Sequence, residues 1–105
     1  MARMWSRRRT PRYSLIAVAE AVDVESGLRL DARIAHMSLT GCYLATTNPL
    51  LLGRRVKLQL THGDSTIEIH GAVVRSETNT GMRISFTDLD ANHLAILEKW
   101  FAELG

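Results

Sequence analysis

Apolar side chains recur at every second position in one run after another of this chain. Leu28, Leu30, Ala32 and Ile34 alternate with Arg29, Asp31 and Arg33; Val56, Leu58 and Leu60 alternate with Lys57, Gln59 and Thr61. Ile67, Ile69, Gly71 and Val73 alternate with Glu68, His70 and Ala72, and Met82, Ile84 and Phe86 with Arg83 and Ser85. A strand sends successive side chains to opposite faces, so each run predicts a strand with one dry and one wet face. The Val- and Ala-rich stretch Tyr13 to Val24 predicts a further strand, and Gly41 to Thr46 a short one.

Turn-forming residues separate the runs: Glu25-Ser26-Gly27, Asn48-Pro49, His62-Gly63-Asp64 and Asn79-Thr80-Gly81. With no helical crossover between six short strands, the pattern predicts an all-β antiparallel barrel or sandwich, not a parallel α/β sheet. The period then changes. Leu94, Leu97, Trp100 or Phe101, and Leu104 recur at three- and four-residue steps, with Asp88 or Asp90 available as N-cap and Lys99 late in the segment. This predicts an amphipathic C-terminal helix. Trp100 and Phe101 are expected to close one end of the β-structure; the sharper alternative is a helix that binds a partner.

At 105 residues, 46% hydrophobic and 23% charged, the chain can fill one core but not two. Its single cysteine, Cys42, excludes an internal disulfide and any Cys-x-x-Cys site, which fits a reducing cytoplasm. No apolar stretch approaches the roughly 20 residues that span a bilayer. Arg7, Arg8, Arg9 and Arg12 occupy the place of a signal peptide's apolar segment, so export is not expected. The four histidines, His36, His62, His70 and His93, lack metal-site spacing, and no nucleophile motif or Gly-rich phosphate loop is present. Neither a metal site nor an enzyme is expected.

The net charge of +2 conceals an asymmetry. Residues 1–13 carry five arginines and no acid, leaving −3 on the remainder. The expected organisation is therefore a flexible basic arm over 1–13 and a folded unit over 14–105. Pro11 bars a regular helix through Arg7-Arg8-Arg9-Thr10-Pro11-Arg12, so the arm is expected to be extended, suited to wrapping an anion and unsuited to a DNA-recognition helix. Guanidinium forks match phosphate oxygens or the O6/N7 edge of guanine two bonds at a time. A second element, His36-Met37-Ser38-Leu39-Thr40-Gly41, ends the Leu28 strand. Ser38 and Gly41 fit the first and last positions of a type I turn. Such a corner serves a hairpin, and its hydroxyl and amides also make an anion-receptive concavity.

Arg8-x-x-x-Arg12, followed one strand pair later by His36-x-Ser38-x-x-Gly41, resembles the paired signature of the PilZ domain, the bacterial receptor module for cyclic di-GMP. Gly81-Met82-Arg83-Ile84-Ser85-Phe86 before the terminal helix resembles its last strand, so the likeness covers nearly the whole chain. The resemblance implies a six-stranded antiparallel β-barrel with a C-terminal α-helix, no catalysis and no cofactor. It implies that Arg8 and Arg12 grip guanine edges and phosphates while Ser38 and Gly41 shape the turn beneath the ligand. Arg7, preceding the first motif arginine, implies an intercalated pair of ligands; Arg9 adds a phosphate or stacking contact. Where the family has Asp or Asn, this chain has His36. A neutral imidazole offers one acceptor nitrogen where a carboxylate takes two donors, which is expected to weaken guanine recognition and leave the phosphate contacts. By parity, His36 shares the face of Leu30, Ala32 and Ile34. The expected function is a receptor that changes shape on binding and signals to another protein in trans. The alternatives are a divergent module that has lost its nucleotide and acts as an adaptor, and non-specific binding of polyanions through the arm, which the acidic body opposes.

Overall fold

A computed structural model of the chain describes residues 18–104. The arm over 1–13, with Arg7, Arg8, Arg9 and Arg12, lies outside the described residues, as does the predicted strand before Val18. The elements run β1 (Val18–Asp23), β2 (Arg29–Met37), β3 (Gly41–Ala45), β4 (Arg55–His62), β5 (Ser65–Glu77), β6 (Gly81–Phe86) and α1 (Ala91–Leu104). The six strands form a closed antiparallel barrel in the order β1-β2-β3-β6-β5-β4, sealed where Val18 to Asp23 pairs with Thr61 to Val56. Of the two architectures that alternation permits, the barrel is the one formed, and closure leaves no open edge.

Except for Leu28, which precedes β2 and is exposed, the alternating residues fill the barrel as their period requires. Ala19 and Ala21 of β1 face Val56, Leu58 and Leu60 of β4, with Ile69, Met82 and Ile84 beyond them, all buried. The wet faces carry Glu20, Arg29, Arg33, Lys57 and Glu68. Helix α1 covers the end of the barrel where β1 begins and β6 finishes. Trp100 is buried there and tilts against His62, the last residue of β4, at 5.5 Å between ring centroids. Leu97 is fully buried beside it, which stabilises the closure by about 1.5–3 kcal/mol. Phe101 packs against the core from a half-buried position. Asp90, not Asp88, is the N-cap: its Oδ1 accepts from the His93 amide at 2.8 Å. Asp88 instead accepts from the amide and the ring Nδ1–H of His70, at 2.8 and 2.9 Å, tying the approach to α1 onto β5.

Two irregularities bend the sheet. The β2–β3 register slips between Ile34 and His36, and the β5–β6 register slips between Val73 and Arg75. Each is a bulge, one extra residue on one strand, at Ala35 and Val74. The first corrects the parity reading of His36. Ile34 and Met37, three residues apart, are both buried, so beyond the bulge the core position passes to Met37 and His36 turns to the outer wall.

Candidate functional site

The β2–β3 corner is where the structure gathers the described motif residues. Met37 pairs with Cys42, and the Ser38 amide donates to the Gly41 carbonyl at 2.9 Å. That bond runs opposite to the one that defines a type I turn. The Ser38 hydroxyl oxygen accepts from the Thr40 amide at 3.3 Å and lies 3.2 Å from the Thr40 hydroxyl. The amides of Ser38 and Thr40 are thus used inside the corner, which is a narrower donor set than the sequence suggested. Gly41 has its own structural reason. A Cβ there would stand 2.2 Å from the Ile84 carbonyl oxygen, so only glycine lets β3 approach β6 this closely. The Thr40 carbonyl accepts from the Phe86 amide at 2.9 Å, fastening the corner to the end of β6.

His36 stands next to this corner, half-buried, its ring stacked on Tyr43 at 5.4 Å between centroids and 21° between planes. They are cross-strand partners. The pairing continues across the wall: Tyr43 opposes Arg83 on β6, and Arg83 opposes Arg75 on β5. The two bulges bring this aromatic and cationic row onto one outer face. The Tyr43 phenol donates to Glu77 Oε1 at 2.5 Å, and this bond, with burial and the carboxylate charge adding to it, holds the phenol above its ordinary pKa. Its ring also lies over Gly81, where a Cβ would come within 2.6 Å of it. Tyr43, Arg83 and Arg75 were not singled out in the sequence. The available signal was an aromatic at a wet position between Cys42 and Leu44.

Beside Val18, where the described chain begins, the outer wall holds a groove of about 630 Å³. Glu20 of β1, Asp31 and Arg33 of β2, and Gln59 and Thr61 of β4 line it. His36, Ser38 and Gly41 do not. Arg33 stands between groove and corner on the same strand.

Cys42 is buried, and the loss of hydration pushes its thiol up to about 12, so it stays protonated and unreactive. Among the described residues no group of three His, Cys, Asp or Glu could hold a metal ion, and no helix is long and apolar enough to cross a membrane.

Three solved structures share the fold, two of them PilZ domains by name. The PilZ domain of YcgR from Escherichia coli, solved with c-di-GMP, superposes with a TM-score of 0.70 at 20% identity, covering 94% of this chain and 92% of that one. MrkH of K. pneumonia in its apo state gives 0.74 at 21% identity over 93% of this chain and 52% of that one. The PilZ domain of CeSA from a cellulose-synthesizing bacterium gives 0.69 at 12%, over 87% and 94%. At these identities the likeness establishes the barrel and its helix. No curated protein sequence matches. The PilZ domain model matches residues 6–103, a span that takes in the basic arm, the β2–β3 corner and the terminal helix. The chain therefore belongs to the PilZ domain family.

Proposed function

We propose that this chain is a receptor for cyclic di-GMP that rearranges on binding and signals to a partner protein in trans. One observation carries the reading: the direction and register of β1. Its first described residue, Val18, pairs with Arg33, and β2 runs antiparallel from there to Met37 and the Ser38–Gly41 corner. From Arg33 to Ser38 is about 17 Å of strand, and from Val18 back to Arg12 the chain can span about 20 Å. Arg12 is therefore within reach of the corner, and Arg8 further along the same tether. Guanidiniums from one side and the corner from the other would hold a doubly anionic dinucleotide between them. A charge-assisted hydrogen bond contributes about 1.5–3 kcal/mol, against about 1–2 kcal/mol for each backbone residue ordered, so a ligand contacted several times offsets the ordering cost. By its chemistry the site binds and does not turn over.

The second reading, an adaptor without nucleotide, draws on the corner itself. Ser38 and Gly41 are both accounted for by folding, through the Thr40 bond and the Ile84 contact. Titration calorimetry separates the two. The native chain should bind cyclic di-GMP at two molecules per chain and retain it against excess GTP and single-stranded DNA. Arg8→Ala and Arg12→Ala should each weaken binding about tenfold or more. A native chain that gives no heat, and amide spectra that do not move at saturating ligand, would leave the adaptor reading.

A further inference from the structure

The row on the outer wall beside the corner has a chemistry that the motif residues do not supply. His36 turns a half-buried imidazole to the outer wall, with one face resting on Tyr43. The Tyr43 ring is itself fixed from three directions: by the His36 stack, by its bond to Glu77, and by Gly81 beneath it. A ring held this way loses little rotamer freedom when a second ring stacks on the pair. Arg83, opposite Tyr43, is exposed and adds a cation to the same wall.

Aromatic support with an adjacent guanidinium suits a purine nucleotide: the π-face meets the rings and the phosphodiester meets the charge. Pyrimidines offer less area to such a platform. Stacking is indifferent to the pattern of donors and acceptors on the base edge. Among the described residues, no hydrogen bond engages the His36 ring, and it has one acceptor nitrogen at most.

Resting on the receptor reading above, we propose that His36, backed by Tyr43 and flanked by Arg83, is a stacking platform for a purine base of the dinucleotide. The site then selects purines by ring area and separates guanine from adenine only weakly. The base lies as a third layer on the His36–Tyr43 stack, and Tyr43 acts as a positioning residue through His36.

The test titrates cyclic di-GMP and cyclic di-AMP into the native chain and into His36→Ala, His36→Phe, Tyr43→Leu, Tyr43→Phe and Arg12→Ala. Melting temperatures are recorded for each. The native chain should bind the two dinucleotides within about tenfold of one another. His36→Ala should weaken both about tenfold, in parallel, as expected for loss of one stacked base. His36→Phe should restore binding of both, and Tyr43→Phe should hold it where Tyr43→Leu loses severalfold. The proposal is overturned if His36→Ala binds like the native chain while Arg12→Ala does not, an outcome that leaves the receptor reading intact. It is equally overturned if His36→Phe is as weak as His36→Ala with an unchanged melting temperature, or if the native chain prefers guanine by a hundredfold. A native chain that binds neither dinucleotide removes the receptor reading and the platform together.

Discussion

Asp23 is the one buried charged side chain among the described residues, and it is fully engaged. Arg54 brings Nε and an NH₂ group to Oδ2 at 3.0 and 2.7 Å, while the Glu25 amide donates to Oδ1 at 3.0 Å. The third Arg54 nitrogen reaches the Glu25 carboxylate at 3.0 Å. These bonds tie the β1–β2 hairpin to the segment leading into β4, at the end of the barrel away from α1. The Arg54 hydrogen bonds, outweighing the opposing effect of burial, hold the Asp23 carboxyl below its ordinary value. A carboxyl depressed in the folded state stabilises the fold above its unfolded pKa of about 3.9, and that contribution is lost as pH falls through the folded value. Asp23→Asn should therefore melt several degrees below the native chain at pH 7. The gap should narrow as the pH is taken below about 4, where the unfolded chain's carboxyl takes up its proton, and close once the pH passes the depressed folded value. Melting curves at a series of pH values check this; a gap that is constant across the series would assign the loss to packing and not to charge.

At the scale of elements, the β2–β3 hairpin shows what the sequence made legible and what it hid. The wet and dry positions of β4, and of β2 as far as Ile34, follow from period 2 because nothing interrupts the pleat. Helix α1 is legible for the same reason at its own period. The bulges at Ala35 and Val74 are not legible: each inserts one ordinary residue, and neither alanine nor valine marks the slip as a glycine or proline would. A single unmarked slip reverses every later assignment on the strand, so parity alone puts His36 on the core face. Tyr43 is not legible as a site residue either, because its significance depends on His36 sharing its wall. Gly41 was read as part of a motif, while its contact with Ile84 belongs to the pairing of β3 with β6 and appears only once the strands are adjacent. Gly41→Ala should cost about 1–3 kcal/mol, since backbone and not a flexible side chain must yield. In urea, the unfolding midpoint should fall while the slope holds. An unchanged midpoint would mean that β3 shifts away from β6 at no cost.

Over the whole molecule, the corner and the helix are connected through the end of β6. The Thr40 carbonyl holds the Phe86 amide, Thr87 donates to the His70 carbonyl, and Asp88 is held by His70. His93, in the first turn of α1, donates from Nε2 to the Glu68 carbonyl at 2.9 Å. Leu39 and Leu89 both pack on the common core, on either side of that link. A ligand that moves the corner thus acts on the strand that delivers α1. On the receptor reading, a surface that responds to ligand without touching it is where a partner would read the bound state. Coupling of this kind requires evidence beyond adjacency, and amide spectra supply it. On saturation with cyclic di-GMP, resonances of residues 36–43 should move by direct contact. A second set, Phe86 to Leu94, should move with them and follow the same binding curve. Hydrogen exchange should slow at Phe86, whose partner Thr40 lies in the corner, and stay unchanged at Val56, whose backbone pairs with β1 and β5 on the far side of the barrel. If only residues 36–43 respond, the helix is a plug for the core, and the partner must recognise the nucleotide and the arm directly.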